Sequence, residues 1–81
     1  MASNKMSVKE RQVYEVALQC VGGVENSIED GCWQNEIPSE DELFEMCLDD
    51  VHGECPREVR FLGNKRIEEL CRKAAQEFEV W

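Results

Sequence analysis

The chain has 81 residues, with 18 Asp and Glu against 9 Lys and Arg, so its formal net charge is -9. A domain of this length buries one modest core, which excludes the deep cofactor cleft of a large enzyme. Apolar residues make up 42% of the chain, so the composition is not that of a disordered protein, and no apolar run approaches the roughly 18 residues of a membrane span. We expect a single domain over residues 1–81, with a flexible tail at residues 1–6, no membrane contact and a cytoplasmic location.

The five cysteines indicate a reducing compartment. Their number is odd and no two of them form a CxxC pair, whereas secreted disulfide scaffolds use even numbers at close spacing. Cys20, Cys47 and Cys71 stand at helical spacing among Val, Leu and Ala residues, where cysteine packs as a small hydrophobe. This pattern is consistent with a cytoplasmic protein.

The first helix is predicted to begin after Ser7. Ser7-Val8-Lys9-Glu10 is a capping box, and apolar side chains then recur every three or four residues until Asp30-Gly31, which is a C-terminal stop. Gly22-Gly23 interrupts this pattern at a cost of about 1 kcal/mol per Gly relative to Ala, which leaves a break or kink open. We favour one continuous helix because Val24 and Ile28 keep the phase of the apolar stripe.

The second helix is predicted to follow a connection over residues 32–38, in which Trp33 and Ile37 are expected to pack back onto the core. Its start is a second capping box, Ser39-Glu40-Asp41-Glu42. One apolar face then extends over three turns until His52-Gly53, and it consists of Leu43, Phe44, Cys47, Leu48 and Val51.

The stretch 54–63 has two interpretations. Val59 and Phe61 alternate as in a short strand, whereas Val59 and Leu62 suit one helical turn that Pro56 begins. The choice between a strand and a helical turn is open at this point.

The last part of the chain predicts a third helix. It begins near Asn64, and its apolar positions recur at helical spacing: Ile67, Leu70, Cys71, Ala74, Phe78 and Trp81. We predict an all-α or mainly α fold, a small three-helix domain. Residues 58–62 and 77–81 are candidates for a minimal two-stranded β element.

Acidic residues are concentrated in the middle of the chain. No Lys or Arg occurs between Gln12 and Pro56, whereas this stretch contains twelve acidic residues: Glu15, Glu25, Glu29, Asp30, Glu36, Glu40, Asp41, Glu42, Glu45, Asp49, Asp50 and Glu54. Such a surface repels phosphate backbones and favours a basic partner. The plainer alternative is a solvated face that confers solubility only, or that pairs with basic side chains of the same chain, namely Arg57, Arg60, Lys65 and Arg66.

We predict that the protein acts by binding a protein partner that has a basic surface. Aromatic anchors dominate interface energetics, and Trp33 precedes the acidic second helix. The predicted partner-binding residues are Trp33, Glu40, Asp41, Glu45, Asp49 and Asp50. An alternative form of this hypothesis is a nucleic-acid mimic that inhibits a DNA- or RNA-binding protein. Self-association into a homodimer is also left open.

A small zinc-stabilised domain is a rival hypothesis with weaker support. The candidate ligands, all of types that zinc prefers, are Cys47, His52, Cys55 and Cys71. Their spacing, C-x4-H-x2-C-x15-C, is not that of a standard zinc ribbon or finger, and Cys47 also fits the core. We therefore predict no metal and no cofactor.

Motifs of common enzymes do not occur in the sequence. GxSxG, HExxH, GxxxxGK[ST] and GxGxxG are all missing, and carboxylates at a helix start stay ionised instead of serving as acids. A turn followed by Asn64-Lys65-Arg66 suggests a helix-turn-helix-like DNA binder that uses the basic C-terminal third, but the net charge of -9 opposes direct nucleic-acid binding. We expect a non-enzymatic accessory or regulatory protein, a role common among small bacterial and phage proteins.

Overall fold

In a computed structural model, which describes residues 6–34 and 36–80, the described residues form four α-helices. They are α1 (Val8–Glu29), α2 (Glu40–Glu54), α3 (Pro56–Leu62) and α4 (Asn64–Ala75). The three longer helices all contact one another, and the short helix α3 packs against each of them. The predicted all-α class is confirmed.

The core lies between α1, α2 and α4. Its central side chains are almost entirely removed from solvent, and they come from all three long helices: Val13, Ala17, Leu43, Cys47, Val51, Ile67, Leu70, Cys71 and Ala74. Val59 of α3 and Phe78, which follows α4, cover two further parts of this core. Among the described residues, no polar or charged side chain is buried. The core is therefore held together by apolar burial.

Both predicted capping boxes are present and start the two acidic helices. The Ser7 hydroxyl accepts from the Glu10 N–H at 3.2 Å, while a Glu10 carboxylate oxygen accepts from the Ser7 N–H at 2.9 Å. Ser39 and Glu42 repeat this arrangement at the start of α2 with the same two distances. Each box satisfies two of the amides that a helix start leaves without intrahelical partners.

The prediction of a continuous first helix is confirmed, because α1 runs unbroken through Gly22-Gly23. A Cβ atom at Gly22 or Gly23 would meet no heavy atom within 4 Å. The pair therefore does not serve a close approach of backbones within the chain. The apolar stripe that continues past it, with Val21 and Val24 buried, explains why the helix persists.

The prediction of three helices is roughly right, since α3 adds one short helix to them, whereas the predicted minimal β element is not seen among the described residues. Residues 58–62 belong to the short helix α3, and residues 77–80 follow α4 as a turn and an irregular segment, so these described residues form no strand pair. Pro56 stands in the first turn of α3, where its fixed φ favours a helix start. Val59 is buried, whereas Phe61 is 71% exposed. A strand would place these two side chains on the same face, so the pattern agrees with the helical alternative for this segment.

Two predictions concern the chain ends. Of the flexible tail predicted at residues 1–6, only Met6 is described, and it packs partly buried against the core. Trp81, predicted as the last apolar position and the end of the β element, lies outside the described residues. The structure therefore describes the C-terminal segment only as far as Val80.

Two glycine substitutions are expected to change stability in opposite directions. Gly63 joins α3 to α4 with φ 88° and ψ 155°, a conformation open almost only to glycine, so Gly63→Ala is expected to lower the free energy of unfolding by about 1–3 kcal/mol. Gly23 lies inside α1 in open space, so Gly23→Ala is expected to raise it by about 0.5–1 kcal/mol. Urea denaturation followed by circular dichroism measures both, and changes of equal sign would contradict this account.

The ion pair between α1 and α4 predicts a pH dependence of stability. The Arg66 Nε lies 2.7 Å from a Glu10 carboxylate oxygen, and the Ser7 amide, followed by Arg66, lowers the pKa of Glu10 below its ordinary value of 4.5. As the pH falls, the Glu10 carboxylate therefore binds a proton in the unfolded chain before it does so in the folded protein. Its contribution to the free energy of unfolding is present above about pH 4.5 and is lost as the pH falls through the lower pKa of the folded state. Glu10→Gln is expected to flatten the acid limb of stability against pH, and an unchanged limb would refute the assignment.

Candidate functional site

Trp33 is held in place by two backbone contacts at the end of α1. Its N–H donates to the Ser27 carbonyl at 3.1 Å, and its indole Nε1 donates to the Glu36 carbonyl at 3.0 Å. The ring itself is half-buried against the core. One face of a large aromatic side chain is thus supported by the fold while another part meets solvent, a typical arrangement for an interface anchor.

Trp33 forms one wall of a shallow depression beside α2. The depression has a volume of about 390 Å³ and is lined by Trp33, Glu36, Pro38, Glu42 and Met46. Ile37, 48% exposed, lies in the same connection. The surface therefore has an apolar centre with two carboxylates at its edge.

The acidic rim continues along α2. Glu45 and Asp49 are exposed and lie one helical turn apart. Glu45 is three residues after Glu42 and Asp49 is three residues after Met46, and both of these earlier side chains line the depression. Residues three and four apart are neighbours on a helix surface. We call the apolar centre and this rim the Trp33 surface: Trp33, Ile37, Met46, Glu36, Glu42, Glu45 and Asp49.

Two of the predicted site residues are paired within the chain. Arg72 of α4 lies 2.8 Å from an Asp41 carboxylate oxygen and 3.3 Å from a Glu40 oxygen, and its guanidinium stacks 4.1 Å from the centre of the Phe44 ring. The hydrogen bond to Asp41, followed by that to Glu40, raises the pKa of Arg72. Part of the charge on Glu40 and Asp41 is therefore neutralised on the α4 side of α2.

The six predicted partner-binding residues thus separate into three groups. Trp33, Glu45 and Asp49 belong to the Trp33 surface. Glu40 and Asp41 pair with Arg72. Asp50 is exposed but lies beside the Cys20 thiol on the side of α2 that faces α1.

Sequence reasoning missed four members of the Trp33 surface. Glu42 and Met46 stand at helical spacing from Glu45 and Asp49, so the period of α2 was a usable signal for them. Glu36 and Ile37 lie in an irregular connection, where no periodicity indicates their placement. The predicted pairing of the acidic region with the chain's own basic residues occurs in part, but through Arg72, because Arg66 instead pairs with Glu10 and Glu69.

The four candidate zinc ligands are placed in different environments. Cys47 and Cys71 are buried in the core, and the Cys47 thiol donates to the Ala17 carbonyl at 3.5 Å. Cys55 is buried where α2 meets α3, whereas His52 is exposed. Among residues 6–34 and 36–80, no group of three or more His, Cys, Asp or Glu side chains is arranged to hold a metal ion.

Burial favours the thiol form of Cys71 and Cys55. It raises the pKa of Cys71 to about 12, and burial followed by the charges of Glu58 and Glu54 raises that of Cys55. The contact with Cys47, followed by burial, raises the pKa of Cys20. Since the thiolate is the form that binds metals and attacks electrophiles, these side chains are expected to act as core residues.

The placement of the cysteines predicts their order of alkylation. In the native, reduced protein, Cys32 is exposed and is expected to react with iodoacetamide first. Cys47, Cys55 and Cys71 are buried and are expected to react only when the fold opens, with Cys20 between these extremes. Peptide mapping by mass spectrometry over time measures this order. Early alkylation of Cys47 or Cys71 would show that the core is more open than described.

The basic C-terminal third differs from a helix-turn-helix motif in one respect. Gly63 alone joins α3 to α4, whereas the DNA-binding motif has a turn of about three or four residues. Two of its basic residues, Arg66 and Arg72, are engaged by carboxylates. Direct DNA binding by this segment stays an untested alternative, which the net charge of -9 opposes.

None of the helices in the described parts of the chain combines the length and apolar character that crossing a bilayer requires. Models of known protein families, curated proteins and solved structures yield no match to this chain. The function is therefore argued from the site alone.

Proposed function

We propose that this chain is a non-enzymatic accessory protein that binds a basic protein partner through the Trp33 surface. The observation that carries the proposal is the combination of a supported, half-buried tryptophan with exposed carboxylates around one depression. Protein interfaces commonly have an apolar centre that provides most of the binding energy and a polar rim that provides orientation.

The charges of this surface support a basic partner. Among the described residues, Glu45 and Asp49 are in no ion pair, unlike Glu40 and Asp41. Their potential is therefore available to an approaching protein, and the net charge of -9 adds to the attraction at long range. Complementary charge of this kind accelerates encounter and selects among partners more than it adds affinity.

A binding role fits the site better than catalysis. Acid–base chemistry needs a carboxyl group whose pKa is shifted by desolvation in a pocket. Glu36 and Glu42 line an open depression, Glu45 and Asp49 are exposed beside it, and no charged side chain is buried among the described residues. This surface offers recognition by shape and charge.

A capture experiment with matched variants tests the proposal. The wild-type protein, Glu45→Lys/Asp49→Lys and Glu15→Lys/Glu79→Lys are immobilised and exposed to the same cell extract. Both double variants change the net charge equally, and all four side chains are exposed. We expect one or more basic proteins to bind the wild type and the Glu15/Glu79 variant, with binding to the Glu45/Asp49 variant at least about tenfold weaker.

The results of this experiment distinguish binding at a defined surface from a net-charge effect and from nucleic-acid mimicry. Equal loss of capture in both double variants would mean that only net charge matters, which contradicts a defined surface. If the Glu45/Asp49 variant still captures the partner, the exposed acidic face of α2 is not part of the interface. Displacement of the captured protein by DNA or RNA would narrow the proposal to nucleic-acid mimicry.

A further inference from the structure

A second surface with the opposite character lies on α3. Phe61 is 71% exposed, and the Lys9 ammonium of α1 lies 5.0 Å from the centre of its ring. Arg57 and Arg60 are exposed on the same short helix, four and one residues before Phe61. We call these four residues, Lys9, Arg57, Arg60 and Phe61, the Phe61 patch.

The cations of the Phe61 patch differ from Arg66 and Arg72. Arg66 and Arg72 are both engaged by carboxylates of neighbouring helices. Within the described part of the chain, Lys9, Arg57 and Arg60 are in no such ion pair. An exposed aromatic ring with one lysine over it and two arginines on the same short helix, none of them in an ion pair with another described residue, is suited to an acidic surface that has an apolar depression.

The two surfaces are too far apart to meet within one molecule. Lys9 and Ser27 both belong to α1, and a rise of 1.5 Å per residue places them about 27 Å apart along the helix axis. Lys9 contacts Phe61, whereas Ser27 holds the backbone of Trp33. The Phe61 patch and the Trp33 surface therefore lie near opposite ends of the longest helix.

We propose that the Phe61 patch of one molecule docks on the Trp33 surface of a second copy, so that the chains associate head to tail. The proposal rests on the proposed function, since it uses the same acidic surface and names an occupant for it. Phe61 enters the depression beside Trp33 and Met46, and Arg57 and Arg60 face the carboxylates of the rim.

Charge opposes a two-fold dimer that is centred on either surface alone. Such a dimer places cations against cations or carboxylates against carboxylates, whereas a contact between the Phe61 patch and the Trp33 surface pairs opposite charges. A head-to-tail contact leaves one free surface at each end, so longer assemblies form as the protein concentration rises. A two-fold pairing of both surfaces would close at the dimer, so a wild type that stops at the dimer would refute the head-to-tail order.

The net charge keeps this association weak. Copies that each carry -9 repel one another at a distance, but at physiological salt the Debye length is about 8 Å and the contacting charges dominate. We therefore expect a reversible, concentration-dependent association. It competes with a basic partner for the Trp33 surface.

Complementation between two variants tests the inference. Arg60→Ser/Phe61→Ser removes the Phe61 patch, and Glu45→Lys/Asp49→Lys removes the acidic rim, each at exposed positions. Sedimentation equilibrium in reducing buffer at physiological salt is expected to show a mass above 9.4 kDa for the wild type and at least tenfold weaker association for each variant alone. An equimolar mixture of the two is expected to form dimers and nothing larger, because each variant keeps one competent surface.

The result can overturn the inference without touching the proposed function. A wild type that stays monomeric up to about 1 mM, or an assembly that both variants retain, refutes head-to-tail association. If the wild type still captures a basic partner, the proposed function survives that result. Loss of self-association only in the Phe61 patch variant, with no effect of the acidic reversal, would place the docking surface elsewhere and also refute the inference.

Discussion

Leu43→Ala is expected to lower the free energy of unfolding by about 2–5 kcal/mol. The Leu43 side chain is 0% exposed and lies among the largest fully buried side chains of the core. Its removal leaves a cavity as well as losing apolar burial, and small domains are stable by only about 5–15 kcal/mol in total. Urea denaturation monitored by circular dichroism measures the change.

An exposed aliphatic residue provides the control for this variant. Val8 is 75% exposed in the first turn of α1, so Val8→Ala is expected to change the free energy of unfolding by no more than about 0.5 kcal/mol. Similar losses in the two variants would mean that α2 does not pack its Leu43 face into the core.

Trp33→Ala is expected to have the largest effect on partner binding. Truncating a central aromatic anchor costs about 2 kcal/mol or more, which is a factor of about 30 in the dissociation constant. The Trp33 ring meets solvent on one side, so helix content is expected to stay unchanged. The capture assay, repeated as a titration with the isolated partner, measures the loss of affinity.

Phe61→Ala is the matched aromatic control, because Phe61 belongs to the Phe61 patch at the other end of α1. It is expected to bind a basic partner as the wild type does. A partner that still binds Trp33→Ala but no longer binds Phe61→Ala would show that binding takes place at the Phe61 patch. That result would contradict the proposed Trp33 surface.

The helices that begin with local signals were predictable from the sequence. Ser7 and Ser39 each stand three residues before a glutamate and just ahead of an apolar period, and both helices begin after them. The segment of α3 was ambiguous because seven residues carry too little periodicity to separate a strand from a helical turn. The exposure of Phe61 beside a buried Val59 decides this case, and which side chains are buried is a property of the whole fold.

The candidate site was predictable only in part for the same reason. The concentration of acidic residues is visible in the sequence, but the pairing of Asp41 with Arg72 joins residues of two different helices. The depression between Trp33 and Met46 depends on the path of the connection, where residues follow no period. Long-range contacts therefore decide which of the predicted carboxylates are open to a partner.

We propose that binding takes place on the Trp33 surface and not on the acidic residues at large. Two-dimensional ¹H–¹⁵N NMR of the labelled protein, titrated with a synthetic Lys-rich peptide that carries one aromatic residue, tests it most directly. We expect the largest shift changes at the Trp33 indole and at Ile37, Glu42, Met46 and Asp49. Equal changes at acidic positions on other faces, such as Glu15 and Glu68, would contradict a defined interaction surface.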